Sequence, residues 1–157
     1  MSDAGKLKVC LAASAGGHLS QLLKTMPAWR EYDYFFVTSG AMVAEKLHRD
    51  HGVPVYVVGE ANRQHPLKVA VILGRCIRVI ARRRPDVVIS TGAAPGCLLC
   101  LLGKLLGAKV VWIDSIANVA RLSLSGRIVR PLADLFLTQW SDLADEEKSI
   151  VYSGELV

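Results

Sequence analysis

KVCLAASAGGHLSQLL, residues 8–23, is the stretch that decides the fold. Lys8 to Ser14 read as a strand that is apolar throughout, the pattern of a strand covered on both faces. The pair Gly16-Gly17 then turns the chain, and a helix is expected from about His18 to Trp29. Strand, small-residue turn and helix make one βα unit.

The unit recurs along the chain. YFFVTS (34–39) predicts a second strand, with a helix near Ala41–Asp50 behind it. VYVVG (55–59), opened by Pro54, predicts a third. A long helix follows from Pro66 to about Arg84, with proline in its first turn and Pro85 as its stop. DVVIST (86–91) predicts the fourth strand, and Pro95 starts an apolar helix ending near Gly107. KVVWIDS (109–115) is the fifth, a loop and short helix lead to Pro131, and DLFLTQW (134–140) is the sixth. The acidic turn SDLADEEKS precedes a last apolar segment, IVYSGELV. Apolar strands alternating with helices predict an α/β fold, a Rossmann-like doubly wound parallel sheet of six or seven strands. The length of 157 residues suits one such domain spanning 1–157. In these sheets ligands bind beyond the carboxyl ends of the strands. The loops after Ala13, Ser39, Gly59, Thr91, Ser115 and Trp140 are therefore the places to look for function.

Composition narrows the class. Hydrophobic residues at 52% and charged residues at 21% exclude a disordered chain. The 19 Lys and Arg exceed the 14 Asp and Glu by five, a moderate excess whose location matters more than its size. Aromatic residues at 6% argue against a stacking platform for single-stranded nucleic acid. Cys10, Cys76, Cys97 and Cys100 all sit in apolar runs and read as small buried hydrophobes. Cys97 and Cys100 have a C-x-x-C spacing, but no second Cys or His pair completes a zinc set. The polar start MSDAGKLKVC predicts no signal peptide, and a reducing, cytosolic setting is the default. The longest uncharged stretch, Val87 to Gly103, is broken by Ser90, Thr91, Gly92, Pro95 and Gly96. No segment approaches the ~20 apolar residues of a membrane-spanning helix.

Three loops carry candidate chemistry. Ser14-Ala15-Gly16-Gly17-His18 is not G-x-G-x-x-G, and Thr38-Ser39-Gly40 stands where a ribose-binding acid would follow the second strand. NAD and FAD are therefore not expected. Ser14, Gly16 and Gly17 are candidates to let a phosphate approach the helix start, and His18 adds a base or hydrogen-bond donor there. The bland alternative is a tight turn in which glycine serves geometry alone. The second loop supplies Thr91, Gly92 and Ala93, again either ligand-facing or simply a small-residue turn. In the third, Asp114 is placed either to bind sugar hydroxyls or accept a proton, or to cap the following helix.

The helix before Pro85 is more distinctive. Ala61 to Pro85 holds no acid, but it holds Arg63, Lys68, Arg75, Arg78, Arg82, Arg83 and Arg84. On a helical wheel Lys68, Arg75, Arg78 and Arg82 share one face. Val69, Leu73, Cys76, Ile77, Ile80 and Ala81 fall opposite, toward the sheet. Val71, Ile72 and Val79 lie within or beside the cations, a mixture that suits an anionic membrane surface. A merely solvated face is the alternative. Nucleic acid ranks third, since no aromatic interleaves the charges and no nucleic-acid module matches.

These residues resemble a known family, the bacterial relatives of asparagine-linked glycosylation protein fourteen. The resemblance rests on SAGGHLSQLL (14–23), STGAAPG (90–96), GKLLGAKVVWIDSIA (103–117), SLSGRIVRPLADLFLTQW (123–140) and the ending VYSGELV (151–157). It covers nearly the whole chain, and it is the set rather than any one motif that is specific. It implies the N-terminal half of a GT-B glycosyltransferase, the half that holds the lipid-linked acceptor and touches the membrane. The donor site for a UDP-sugar would then lie on a separate partner subunit, with no cofactor or metal held here.

The resemblance also places residues. Gly16-Gly17-His18 matches the acceptor-side loop of the related lipid II enzyme, with His18 near the reacting centre. Asp114 stands where related proteins often carry Glu. The C-terminal segment with Tyr152, Leu156 and Val157 matches the part that docks on the catalytic partner. Eukaryotic members carry an N-terminal membrane anchor. None is predicted here, which puts the weight of attachment on the basic helix.

The resulting expectation is an acceptor-binding, membrane-associating subunit of a two-component glycosyltransferase of exopolysaccharide or capsule synthesis. It would work on a polyprenyl-diphosphate-linked saccharide at the cytoplasmic face of the cell membrane, peripheral to it, and would bind no nucleic acid. A stand-alone Rossmann-like enzyme or nucleotide-binding protein, and a non-catalytic scaffold for the partner, are the rival readings.

Overall fold

A computed structural model describes residues 5–60 and 65–156. Seven parallel strands form one sheet: β1 (Lys8–Ala12), β2 (Asp33–Thr38), β3 (Val55–Val57), β4 (Val87–Ser90), β5 (Lys109–Ile113), β6 (Leu135–Thr138) and β7 (Ile150–Tyr152). Their order across the sheet is β3-β2-β1-β4-β5-β6-β7. Among the described residues five α-helices join them: α1 (Gly17–Lys24), α2 (Ala41–His51), α3 (Pro66–Arg83), α4 (Ala93–Leu105) and α5 (Leu124–Val129). The expected doubly wound α/β sheet is thus present, with the final apolar segment IVYSGELV supplying its seventh strand.

Period-two alternation sorts the strand side chains onto two faces. Cys10, Ala12, Phe35, Val37, Val88, Val110 and Trp112 point to one core, which is filled from outside by α3, α4 and α5. Val9, Leu11, Phe36, Ile89 and Ile113 point to the other, covered by α1 and α2. All four cysteines are buried in the first core. Burial pushes the Cys10 and Cys100 thiols far up and the Cys76 thiol up to about 11. They stay neutral and inert at physiological pH, as the apolar runs around them lead one to expect.

Helix α4 lies unusually close to the sheet because two glycines face it. A Cβ on Gly96 would stand 2.0 Å from Ser90 Oγ, and one on Gly103 would stand 2.5 Å from Val88 Cγ2. Pro95 falls inside the first turn of α4 rather than opening it, which costs nothing because the first-turn N–H groups lack helical partners anyway. Helix α1 stops five residues short of the expected Trp29, since the Met26–Ala28 segment tightens around Pro27 into a 3₁₀ turn.

Helix α3 is rotated relative to the wheel drawn from sequence. Ile72, Cys76, Val79 and Ile80 are the buried residues, whereas Leu73, Ile77 and Ala81 are exposed. The helix is apolar over more than half its circumference, so periodicity alone admits two inward directions. Contact with Phe35, Val58 and α4 selects the one that buries the β-branched Ile72 and Val79. Arg83, counted with the basic residues, turns inward and lays its guanidinium 4.9 Å from the Phe35 ring centre. Among the described residues no helix is long and apolar enough to cross a membrane.

Candidate functional site

Chain direction reverses between β1 and β4. From β1 the chain proceeds to one side of the sheet, from β4 to the other, and the loops that follow diverge. This is the switch point where α/β sheets bind ligands. Both loops are small-residue turns ending in helices whose N-termini have no side-chain cap, Gly16 before α1 and Gly92 before α4. The starts of both helices therefore flank the switch point, without side-chain caps.

His18 stands in the crevice at that switch point, half-buried in the first turn of α1. Its Nδ1 lies 2.9 Å from the carbonyl oxygen of Thr91. A carbonyl can only accept, so Nδ1 carries the hydrogen and donates, and the lone pair of the neutral ring resides on Nε2. Thr91 Oγ1 returns a hydrogen bond of 2.6 Å to the His18 backbone oxygen. The imidazole lies against Gly92, whose absent Cβ would be 2.5 Å from Cε1 of the ring. Gly92 has φ 138° and ψ −169°, a region essentially reserved for glycine, and Ala93 follows with φ 66°. The two loops are thus buttoned together by the histidine.

This reassigns part of the expected site. Ser14 is half-buried, and Gly16 and Gly17 are exposed at the crevice, where a ligand can reach them. Thr91 is fully buried with its hydroxyl engaged by His18, so it holds the histidine rather than facing a ligand. Gly92 is buried as well and provides the floor for the ring. Ala93, half-buried, offers its backbone at the start of α4. Ser39 braces the first loop by accepting from Ala15 N at 3.0 Å.

Asp114 has an occupation other than catalysis. It is 2% exposed. Oδ1 accepts from Trp112 Nε1 at 3.1 Å and from Ser123 Oγ at 2.6 Å, while Oδ2 accepts from Ser123 N at 2.9 Å. Ser123 in turn caps α5 by accepting from Gly126 N. The carboxylate therefore organises the entry to α5 from behind the cap and does not open on the crevice.

Two residues absent from the sequence reading, Gln21 and Gln139, are buried beside it. Gln139 Nε2 donates to Gln21 Oε1 and to Asp114 O at 3.0 Å. Gln21 Oε1 also accepts from Ile116 N at 3.2 Å, and Gln21 Nε2 donates to Ser115 Oγ at 3.3 Å. The network welds α1 to the ends of β5 and β6. No spacing signals it in the sequence, because one glutamine lies on a helix and the other 118 residues later at a strand end.

Away from the crevice, Lys68, Arg75, Arg78 and Arg82 are exposed on α3, and Arg75 is partly tied down by donating to Val58 O at 3.2 Å. Leu67 (83% exposed), Val71, Leu73 and Ile77 are exposed among and beside them. The α5 side of the same sheet face adds Arg121 and Arg127 with exposed Val119, Leu124 and Ile128. From residue 65 to 133 the chain carries eleven Lys and Arg against two acids, Asp86 and the buried Asp114. The cationic and apolar mixture thus extends beyond the single helix read from sequence. Of the expected docking residues, Tyr152 is exposed on the edge strand β7 and Leu156 is half-buried. Val157 and Arg63 lie outside the described residues.

The family described as "Oligosaccharide biosynthesis protein Alg14 like" matches residues 56–156, a span that leaves out the glycine loop at 14–18. The mouse protein "UDP-N-acetylglucosamine transferase subunit ALG14" is 27% identical over 181 residues, covering 96% of this chain and 83% of the mouse one. Its namesake in Schizosaccharomyces pombe is 45% identical over 75 residues, 45% of this chain and 36% of that one. Among solved structures, MurG of Acinetobacter baumannii superposes with a TM-score of 0.75 at 16% identity over 94% of this chain. At that identity the likeness speaks for the fold alone, and it bears out a domain like the N-terminal half of a GT-B glycosyltransferase. The chain spans 45% of that structure's length.

Proposed function

This chain belongs to the Alg14-like family of oligosaccharide biosynthesis proteins, and on that premise we propose that it is the acceptor-binding subunit of a two-component glycosyltransferase. A partner subunit holds the UDP-sugar and closes over the crevice between β1 and β4. The acceptor is a polyprenyl-diphosphate-linked saccharide of exopolysaccharide or capsule synthesis, met at the cytoplasmic face of the membrane. The observation that carries the reading is His18, which stands half-buried between the loops after β1 and β4 with Nδ1 donating to Thr91 O, so that in the neutral ring Nε2 is the acceptor.

The chemistry follows from that nitrogen. An acceptor hydroxyl attacks the anomeric carbon of the donor sugar, forming a new C–O bond as the bond from that carbon to the UDP oxygen breaks. The hydroxyl proton passes to His18 Nε2, and UDP departs with the bonding electron pair. Thr91 supports this by fixing the ring's tautomer through Nδ1. The uncapped N-termini of α1 and α4 suit the acceptor's diphosphate, with Ser14, Gly16, Gly17 and Ala93 lining the approach. The cationic and apolar face of α3 to α5 fits an anionic bilayer, with Lys68, Arg75, Arg78 and Arg82 as its leading charges.

Reconstitution tests the proposal. The purified chain alone is expected to transfer nothing, and addition of a donor-binding subunit from the same organism is expected to restore transfer to a lipid-linked acceptor. In the complex, His18→Ala should lower kcat ~10²-fold or more with partner affinity unchanged. Robust turnover by the chain alone would make it a stand-alone enzyme. Identical acceptor-saturation curves for wild type and variant would reduce it to a scaffold.

A further inference from the structure

The end of the described chain folds back onto the helix that carries His18. Residues 153–156 cross the carboxyl ends of β5 and β6 and enclose a cavity of about 140 Å³ with Thr25, Ile113, Leu137 and Gln139. Leu156 packs into the core beneath α1. Both of its backbone groups are held: Leu156 N donates to Gln139 Oε1 at 2.8 Å, and Leu156 O accepts from Lys24 Nζ at 3.3 Å. Gln139 passes the connection on, since its amide donates to Gln21 Oε1. Gln21 and Lys24 follow His18 at three-residue intervals along α1, on adjoining turns of one helix. That helix is only eight residues long, and no side chain caps its N-terminus. A helix so short shifts as one piece.

We infer that Gln139 and Gln21 are positioning residues, linking the C-terminal segment to the His18 imidazole so that the state of the tail sets the aim of Nε2. The inference rests on the reading of His18 as the acceptor-side base and of the tail as a docking element. On that reading, a partner that clamps residues 153–156 in place keeps Leu156 on Gln139 Oε1 and Lys24, and α1 stays held against the Thr91 loop. Docking and alignment of the base then become one event.

The chemistry of the amides distinguishes this from a purely structural network. Gln21 Oε1 accepts two hydrogen bonds, from Gln139 and from Ile116 N. Gln21→Glu preserves both acceptances, and the Ser115 hydroxyl can rotate to donate in place of the lost amide. Gln21→Leu preserves neither. Leu156→Pro deletes the tail's donor together with the packing of the leucine side chain, at a site 132 residues from Lys24 in sequence and outside α1.

The test uses the full chain without partner or acceptor. Ring-nitrogen NMR of His18 reports its tautomer, and amide hydrogen exchange reports the protection of α1. Leu156→Pro is expected to mix the Nδ1–H and Nε2–H forms of His18 and to speed exchange in α1 about fivefold or more, the loss of one net hydrogen bond. Gln139→Leu should do the same, Leu156→Pro should add little in its background, and Gln21→Glu should behave like wild type where Gln21→Leu does not. If Leu156→Pro frees the tail yet leaves the His18 signals and α1 exchange unchanged, the linkage does not exist. The same holds if Gln21→Glu is as disruptive as Gln21→Leu. Should Gln139→Leu fail to fold, Leu156→Pro alone decides. None of these readouts requires turnover, so an inactive complex with intact coupling would indict the functional proposal and spare this one.

Discussion

Gly92→Ala should disarm His18 through a single methyl group. The methyl would sit 2.5 Å from His18 Cε1 and 2.6 Å from Nδ1. Carbon atoms in contact prefer about 3.5–4.0 Å, so the ring must retreat by roughly 1 Å. The Nδ1–Thr91 bond is 2.9 Å long, and that retreat carries it past the ~3.5 Å beyond which it ceases to count. The backbone adds its own penalty, about 1–3 kcal/mol for a non-glycine residue near φ 138°, ψ −169°. Because the half-exposed ring can swing outward, the backbone should dominate the stability loss, about 2 kcal/mol. For a chain of this length that lowers Tm by roughly 4–8 °C.

Scanning calorimetry and ring-nitrogen NMR measure the two effects separately. The double variant with His18→Ala should regain only the steric part, leaving the backbone penalty in place. A Gly92→Ala protein with unchanged Tm and His18 still solely in the Nδ1–H form would refute the assignment of Gly92 as the floor beneath the ring.

Three further outcomes are expected. Asp114→Asn should cost about 1–3 kcal/mol in denaturant melts, because whichever way the amide turns, one of its donors faces Trp112 Nε1–H or Ser123 N–H; a variant of wild-type stability would return Asp114 to the list of candidate catalysts. The Lys104 ammonium, donating to Asp134, holds its carboxyl at about 2 against an ordinary 3.8. The stabilisation is therefore complete above pH 3.8 and is lost as pH falls through about 2, so Asp134→Asn should flatten the stability–pH curve in that window and leave its neutral arm parallel to wild type. Replacing Arg75, Arg78 and Arg82 together with Gln should weaken sedimentation with acidic-lipid vesicles by up to ~100-fold, at ~1 kcal/mol per charge; binding that ignores both the substitutions and added salt would mean that another surface meets the lipid.

What the sequence made legible was governed by local chemistry. The apolar runs at Lys8–Ser14, Asp86–Thr91 and Lys109–Ser115 read as doubly covered strands, and the glycine turns after the first two marked the switch point in advance. His18 was visible because a histidine after a glycine pair at a helix start has few ordinary reasons to be there. The facing of α3 was not legible. With Ile72 and Val79 on one flank and Leu73 and Ile77 on the other, the wheel has no single apolar centre, and only the neighbouring helix breaks the tie. Asp114 could be read as cap or as catalyst because both need an acid at a strand end; the partners that decide, Trp112 and Ser123, lie on either side of it in sequence but announce nothing by type. Thr91 looked like a ligand residue for a similar reason, since only the fold reveals that its hydroxyl meets the backbone of residue 18. Gln21 and Gln139 left no trace at all, because their meaning is a long-range contact between two unremarkable polar residues.

The uneven distribution of charge makes the domain an electric dipole. The α3-to-α5 stretch carries the eleven cations already counted, whereas residues 134–156 hold six acids and a single lysine. Near a negatively charged plane such a body experiences torque as well as attraction. At physiological ionic strength the field fades within about 8 Å, so the molecule tumbles freely until its last nanometre of approach. On the membrane reading proposed above, it would then turn its basic stretch toward the surface before any side chain touches lipid. On the same reading, capture from three dimensions becomes a search in two.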